Sequence, residues 1–323
     1  MCDVVGVIGV KDASRHAYVG LISGQNRGQE SAGILSYDGQ KSHMARGHGL
    51  VREAIKDSEL ERLTGDIALG QTRYSTAGGP YHAAQPIIEN HERFGEFSIV
   101  HNGNMVNYEQ LERRVREAGA YDYKENPSDS QLFARLLSLS DGATFEEALR
   151  KTLDKVKPTY SLIVQKGEEV YVTRDKHGNR PLSIGKLDGG YAVASEEYDL
   201  KMMGCIDIEE VKEGEMIKLY KRQKTSNQIY VPEPQRCINE LIYLAKGTDG
   251  AEIFGKRVQD IRQESGRRLA VEHPAVADLV IGILGSGYHA SIGYSEQSGI
   301  PHSLTALIRN PNYHKRTFIE PNH

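Results

Sequence analysis

The chain has 323 residues and a nearly balanced charge, with 40 Lys and Arg residues against 44 Asp and Glu residues. This length suits two domains with buried cores, and the charge balance gives no basic surface for nucleic acid or an anionic membrane. The apolar runs fall short of the ~20 residues that span a membrane, and the N-terminus lacks a signal-peptide pattern. We therefore expect a soluble, cytoplasmic protein that binds neither nucleic acid nor membrane.

Short apolar or alternating runs bounded by Gly, Asn or Asp indicate two groups of strands, with amphipathic helices between the groups. Ser128 and Asp129 are candidate N-caps for one of these helices. Two groups of strands with helices between them predict stacked sheets covered by helices. The predicted strands are 4–10, 32–37, 67–71, 97–100, 160–165, 169–173, 191–194 and 215–219, and the predicted helices are 107–118, 130–139 and 145–156.

The composition changes after about residue 228, and the two prolines in 231–234 indicate a linker. The predicted domains are therefore 2–230 and 235–323. In the second, a helix over 253–271, a strand over 277–281 and a helix over 288–297 begin an α/β unit. A single unit of that kind cannot form a sheet covered on both faces, so this domain is expected to be incomplete.

The three cysteines are too few and too scattered for a disulfide framework or a Cys-x-x-Cys metal site. Cys205 and Cys237 are predicted to be packed thiols. Cys2 is different, because it directly follows Met1 and precedes an apolar run. Removal of Met1 would place a thiol and an α-amine with a pKa of about 7.7–8.0 on one residue, which can then act as both nucleophile and base. The competing interpretation is a small buried side chain.

Four polar segments elsewhere contain residues that could each take part in binding or catalysis. Arg27 can orient the N-terminal residue through its rigid fork of donors, and Arg73 at a strand end can bind a carboxylate. The Asn102 amide and the Gly103 N–H can donate to one oxyanion, and Asp129 can pair with an ammonium group. Each pattern also has a simpler interpretation, as a loop, an ion-paired Arg, a tight turn or a helix cap.

Taken together, these segments resemble class II glutamine amidotransferases, and within that class the glutamine phosphoribosylpyrophosphate amidotransferase family. The resemblance follows the chain in order from Cys2 and covers most of its length. The segments that carry it are residues 27–33, 47–51, 73–76, 101–104, 128–130, 174–182, 194–196, 253–255, 308–310 and 316–321.

The resemblance implies an α+β protein: a four-layer αββα N-terminal-nucleophile hydrolase domain followed by a truncated α/β phosphoribosyltransferase-like domain. Cys2 would attack the side-chain amide of L-glutamine and form a thioester, with its own α-amine as base and no cofactor. The implied catalytic residues are Cys2, Arg27, Asn102 and Gly103. The implied substrate-binding residues are Arg73 for the α-carboxylate, Asp129 for the α-amine, and Tyr74 and Thr76 along the pocket.

The second domain departs from the family pattern. The strand that ends in two acidic residues before a phosphate-binding loop is not found. A pyrophosphate loop that usually reads Pro-Asp-Ser-Gly has Gly285 in place of its Asp. Cys237 matches one of four iron–sulfur ligand positions, and the other three are not found. Mg²⁺ and phosphoribosylpyrophosphate (PRPP) are therefore expected only if a complete transferase site is supplied elsewhere.

Three hypotheses remain open from the sequence. In the first, the protein releases ammonia from glutamine and passes it to a partner subunit or within a homo-oligomer. In the second, the chain is a fragment or a shortened form of the purine-synthesis enzyme. In the third, it is a non-catalytic paralogue that senses glutamine or binds a partner.

Overall fold

The structure is a computed structural model that describes residues 2–74, 84–123, 126–308 and 310. It divides into two compact units, of which the first ends at Arg236 and the second begins at Cys237. The strands of the first unit are β1 (Asp3–Ile8), β2 (Ser31–Tyr37), β3 (Ser42–His48), β4 (Ile67–Arg73), β5 (Ile87–His91), β6 (Gly95–Gly103), β7 (Tyr160–Lys166), β8 (Glu169–Arg174), β9 (Ser183–Leu187), β10 (Gly190–Ala194), β11 (Ile206–Glu210), β12 (Glu215–Tyr220) and β13 (Gln223–Gln228). Its helices are α1 (Ala13–Ser23), α2 (Val51–Ala54), α3 (Asp57–Leu60), α4 (Tyr108–Glu117), α5 (Asp129–Ser138), α6 (Phe145–Leu153) and α7 (Glu197–Met202).

The strands of the first unit form two antiparallel sheets. One has seven described strands in the order β11-β9-β10-β1-β4-β2-β3, and the other has six in the order β13-β12-β8-β7-β6-β5. Strand β1 is central in the first sheet, between β10 and β4, and Asp3 lies opposite Thr72 of β4. Every residue of β1 is buried, as expected of a strand with covered faces on both sides.

Three hydrophobic cores show that this unit has four layers. Val5 and Val7 of β1 pack with α1 on one face of their sheet, whereas Val4 and Ile8 of the same strand pack against the other sheet. The alternation follows from the two-residue period of a strand. The third core lies between the second sheet and the helices α4, α5 and α6. The predicted αββα arrangement is therefore confirmed, with the layers held together by apolar burial.

The elements that the sequence pattern missed include the edge strands β3, β5, β11 and β13, strand β9, and the helices α1, α2, α3 and α7. Strand β13 lies at a sheet edge and is almost fully exposed, so no apolar alternation marks it. In α1 the buried face includes Ala13, Ala17 and Gly20. A Cβ on Gly20 would come 3.0 Å from the Met203 Sδ atom. Close packing of small residues, rather than a large apolar stripe, therefore places this helix.

The second unit contains short strands and two longer helices. Its elements are a π-helical turn (Glu240–Leu244), β14 (Glu252–Ile253), β15 (Lys256–Arg257), α8 (Val258–Glu272), β16 (Val280–Ile281), α9 (Tyr288–Ser298) and β17 (His302–Ser303). Strands β16 and β17 pair in parallel. The predicted helix over 253–271 was wrong at its start, because Phe254 and Gly255 have positive φ angles of 57° and 68° and turn the chain between β14 and β15.

Candidate active site

Cys2 lies immediately before the central strand β1 and is half-buried. Its nitrogen donates to the Asn102 Oδ1 atom at 3.2 Å, and its Sγ atom lies 3.8 Å from the Tyr74 carbonyl oxygen. Tyr74 directly follows β4, the strand beside β1. The two sheets thus place the thiol between the end of β4 and the end of β6.

Asn102 lies near the end of β6 and is fully buried. Because the Cys2 nitrogen is a donor, the amide oxygen of Asn102 must face it, and this leaves the Nδ2 atom on the other side. Nδ2 has no hydrogen-bond partner among the residues that the structure describes. A buried donor without a partner is costly, so this atom is a candidate donor to a bound ligand.

Gly103 is the last residue of β6 and pairs with Tyr160 of β7. Asn104 and Thr159 exchange both backbone hydrogen bonds, at 2.9 and 2.8 Å. Because hydrogen-bonded and non-hydrogen-bonded pairs alternate in an antiparallel ladder, the Gly103 N–H points away from β7. A Cβ at this position would lie 2.3 Å from the Thr159 carbonyl oxygen, so the local backbone requires glycine.

Arg27 connects Cys2 to a buried carboxylate. Its Nε atom donates to the Cys2 carbonyl oxygen at 3.1 Å, and its Nη1 atom donates to Glu196 Oε1 at 3.0 Å. The Arg27 and Glu196 side chains are 0% and 1% exposed. The following Gly28 lies against β4, where a Cβ would come within 2.7 Å of the Thr72 carbonyl oxygen. This close approach brings Arg27 to Cys2.

Arg73, the last residue of β4, carries the cation predicted to bind a carboxylate. Its Nη1 atom lies 3.7 Å from Glu30 Oε1, and both side chains are almost buried. The Glu30 N–H also donates to the Arg73 carbonyl oxygen at 3.1 Å. Sequence reasoning did not identify Glu30 as a partner, because an ion pair between residues 43 positions apart leaves no local pattern.

Asp129 is the first residue of α5, and the N-cap of that helix is Ser128. The Ser128 Oγ atom accepts from the Gln131 N–H at 3.2 Å. The Asp129 carboxylate accepts from the backbone N–H groups of Met105 at 3.0 Å and Ser130 at 2.8 Å. The prediction that Asp129 is an N-cap is therefore wrong. Its carboxylate instead joins α5 to the chain just after β6.

A buried polar network beside Asp129 surrounds His101. The His101 Nδ1 atom lies 2.8 Å from Ser130 Oγ and 4.0 Å from an Asp129 carboxylate oxygen. The His101 N–H donates to Gln85 Oε1 at 2.7 Å, and the His101 carbonyl accepts from Gln71 Nε2 at 2.6 Å. Burial lowers the pKa of His101, and the Asp129 carboxylate opposes that shift. The ring is therefore neutral near pH 7.

The structure brings Cys2, Arg27, Asn102 and the Tyr74 carbonyl into direct contact, and Gly103 adjoins them in sequence. Thr76 lies outside the described residues. Glu196 was noted in the sequence only as part of a motif, and its contact with Arg27 is visible only in the fold. Cys205 is packed in the core between α1 and its sheet, and burial raises the pKa of its thiol to about 12.

Within the described ranges, no group of three or more His, Cys, Asp or Glu residues could hold a metal ion. No helix in that part of the chain is long and apolar enough to cross a membrane.

Comparison with known proteins links this site to a family. Residues 71–202 match the model of a glutamine amidotransferase domain. The chain is 35% identical over 321 residues to the amidophosphoribosyltransferase of Bacillus subtilis strain 168. This match covers 99% of this chain and 66% of that protein. It is 36% identical over 327 residues to the amidophosphoribosyltransferase of Mycobacterium leprae strain TN, covering 99% of this chain and 58% of that protein. The chain thus spans about three fifths to two thirds of these curated relatives.

Solved structures agree with these matches. The glutamine PRPP amidotransferase from B. subtilis, complexed with ADP and GMP, superposes with a TM-score of 0.88 at 34% identity, covering 99% of this chain and 69% of that chain. A structure described as the allosteric regulatory enzyme of purine biosynthesis superposes with a TM-score of 0.89 at 35% identity, covering 99% of this chain and 68% of that chain. The chain therefore belongs to the amidophosphoribosyltransferase family of glutamine amidotransferases.

Proposed function

We propose that the first unit hydrolyses L-glutamine to glutamate and ammonia, with Cys2 as the nucleophile once Met1 has been removed. The observation that carries this proposal is the contact of the Cys2 nitrogen with Asn102, whose Nδ2 donor is buried and unpaired within the described part of the chain. The arrangement offers a nucleophile, a base on the same residue and a donor for an oxyanion.

The reaction proceeds in two steps. The α-amine of Cys2 takes the thiol proton, and the thiolate attacks the side-chain carbonyl carbon of glutamine. The negative charge then develops on the carbonyl oxygen, where Asn102 Nδ2 and the Gly103 N–H donate to it. Collapse of this intermediate transfers the proton to the leaving nitrogen, which departs as ammonia and leaves a thioester. Water, activated by the same α-amine, hydrolyses the thioester to glutamate and restores the thiol.

The substrate is held as a zwitterion by two opposite charges. Arg73 binds the α-carboxylate through charge-assisted hydrogen bonds, and it exchanges part of its contact with Glu30 for the ligand. Asp129 binds the α-ammonium group, and its carboxylate is already oriented by two backbone N–H groups. Tyr74 lines the pocket between these charges. No metal ion or cofactor takes part in the hydrolysis.

The test is glutaminase activity of the purified full chain. Intact mass spectrometry first establishes that Met1 is absent, and glutamate and ammonia are then quantified after addition of L-glutamine. We expect hydrolysis by the native chain and none by Cys2→Ala, with Cys237→Ala as a control that retains activity. A processed protein that binds glutamine without forming glutamate would contradict the proposal and favour a glutamine sensor.

The fate of the ammonia is a separate part of the proposal. Residues 237–310 carry Gly285 at the position where the family resemblance expects an Asp for pyrophosphate, and the Gly285 φ angle of 105° favours glycine there. We therefore expect no phosphoribosyl transfer by this chain alone, and we expect PRPP and Mg²⁺ to act only if a complete transferase site is supplied elsewhere. Formation of phosphoribosylamine by the isolated chain with glutamine, PRPP and Mg²⁺ would contradict this part.

A further inference from the structure

The segment after β10 contacts the chain just after Cys2. Strand β10 pairs with β1, with Ala194 opposite Val5. One residue later, the Ser195 N–H donates to the Val4 carbonyl at 3.1 Å, and the Val4 N–H donates to Ser195 Oγ at 3.0 Å. The backbone two residues after the nucleophile is thus held by Ser195. The next residue, Glu196, contacts the nucleophile indirectly.

Glu196 reaches Cys2 through Arg27. The Arg27 guanidinium has one donor on the Cys2 carbonyl and another on Glu196 Oε1. Asn26 Nδ2 also donates to Glu196 Oε1, at 3.3 Å. Both charged side chains are completely enclosed. A buried guanidinium needs a buried anion, and removal of one partner leaves the other charge uncompensated.

We propose that Glu196 is a positioning residue for the Cys2 nucleophile. It fixes the Arg27 fork, and Arg27 in turn fixes the Cys2 carbonyl and thus the direction of the thiol. The two Arg27 donors are rigidly related because the guanidinium is planar. A shift at Glu196 is therefore transmitted to Cys2. The part of this inference that concerns turnover rests on the proposed function, whereas the part that concerns thiol placement does not.

The effect is expected in kcat rather than in KM. Misplacement of a reacting group by about 1 Å can lower the rate ~10²-fold. Arg73 and Asp129, the residues proposed to bind the two ends of the substrate, are held by other groups: Arg73 pairs with Glu30, and Asp129 accepts from the backbone N–H groups of Met105 and Ser130. We therefore expect Glu196→Gln to lower kcat by about 10- to 100-fold and to leave the KM for glutamine within about threefold.

The experiment compares Glu196→Gln with Glu197→Gln in the full chain. Glu197 is the adjacent carboxylate, and it pairs with Lys201 at the surface at 4.0 Å, so its variant should retain the native kcat. A second readout is the rate of Cys2 alkylation by iodoacetamide, followed by mass spectrometry of the N-terminal peptide. We expect this rate to fall in Glu196→Gln and not in Glu197→Gln, and the rate can be measured even without turnover.

A double-variant cycle tests whether Glu196 acts through Arg27. If it does, Arg27→Gln with Glu196→Gln will be no slower than Arg27→Gln alone. If Glu196→Gln folds poorly, Glu196→Asp takes its place in the test. This variant keeps the charge on a shorter side chain and should retain part of the kcat and of the alkylation rate. Any of three results would overturn the inference. Glu196→Gln could keep the native kcat and alkylation rate, Glu196→Gln could raise KM alone, or the losses of the two single variants could multiply in the double variant. Absence of hydrolysis by the native chain would instead contradict the proposed function, and the alkylation comparison would still decide the inference.

Discussion

At the scale of single residues, the proposed site depends on which polar atoms of each side chain are already used by its neighbours. Asn102 uses its amide oxygen to hold the Cys2 nitrogen and keeps its Nδ2 atom for another group. His101, the preceding residue, is held in a neutral form by burial. These neighbours face opposite sides of β6, since successive side chains alternate along a strand.

The first residue-scale prediction concerns the oxyanion donor. We expect Asn102→Ala to lower kcat for glutamine hydrolysis by about 10²- to 10³-fold, with a much smaller change in KM, because the donor acts on charge that develops in the transition state. Steady-state kinetics provide the measurement. Asn104→Ala is the matched control, since Asn104 is exposed two residues further on. A kcat within threefold of native in Asn102→Ala would remove Asn102 from this role.

The second residue-scale prediction concerns pH. The pKa of His101 is lowered in the folded protein, whereas an unfolded His has a pKa of about 6.5. As pH falls below about 6.5, the unfolded chain therefore takes up a proton that the folded chain does not, and the free energy of unfolding decreases. Acidification thus removes this contribution, which is fully present above the unfolded pKa.

Urea titrations between pH 8 and 5 measure that dependence. We expect the free energy of unfolding to fall less steeply below about pH 6.5 in His101→Gln than in the native chain. His16→Gln serves as a control at a partly exposed histidine. Equal slopes for the native chain and His101→Gln would show that His101 does not contribute to the pH dependence.

At the scale of elements, the site lies where strands end and a helix begins. Tyr74 follows β4, Gly103 ends β6 and Asp129 begins α5. Regular hydrogen bonding holds each of these elements up to that point, and we propose that the ligand binds there. The start of α5 is set by the capping box between Ser128 and Gln131.

Loss of this cap should affect both stability and substrate binding. We expect Ser128→Ala to lower the free energy of unfolding by about 1 kcal/mol and to raise the KM for glutamine, because Asp129 begins the same helix. Thr144→Ala removes the cap of α6, where Thr144 Oγ1 accepts from the Glu147 N–H at 3.2 Å. Thr144→Ala should lower the free energy of unfolding by a similar amount without a change in the KM for glutamine. Chemical denaturation and steady-state kinetics on both variants test this, and equal KM values in the two would contradict it.

At the scale of the whole molecule, the described residues of the proposed glutaminase site all come from the first unit. The second unit is held together by a close crossing of α8 and α9. A Cβ on Gly266 would lie 1.9 Å from the Ala290 carbonyl oxygen, and one on Gly293 would lie 1.9 Å from that of Gln263. Backbone oxygens cannot move aside as flexible side chains can, so these glycines are required by packing.

We expect Gly266→Ala to destabilise the second unit even though Ala favours a helix by about 1 kcal/mol over Gly. The helices must separate to admit the methyl group, at a typical cost of about 1–3 kcal/mol or more. Hydrogen exchange measured by mass spectrometry should show faster exchange in 258–298, while kcat for glutamine hydrolysis is retained. Ser265→Ala, on the exposed face of α8, is the control. Unchanged protection in Gly266→Ala would contradict this account.

Much of the fold and of the candidate site could be predicted from the sequence. The strands with a clear apolar pattern, among them β1, β2 and β7, and the amphipathic helices α4 and α5 lie close to their predicted ranges. Strand β13 and helix α1 were missed, because an exposed edge and a face of small residues produce little hydrophobic periodicity. Residue types also suggested the nucleophile, the cation, the anion and the amide donor, since the chemistry of each is a property of its side chain.

The sequence by itself determined which residues can react, donate or carry charge, and which faces of the strands are apolar. Only the tertiary structure decided their partners. Cys2 meets Asn102 across 100 positions, and Arg27 meets Glu196 across 169 positions. A periodic pattern reports which face of a strand is buried, but it does not specify which other strand will cover that face. The pairing of β1 with β4 and β10, and the packing of the two sheets, therefore decide that the thiol, the amide and the buried ion pair share one site.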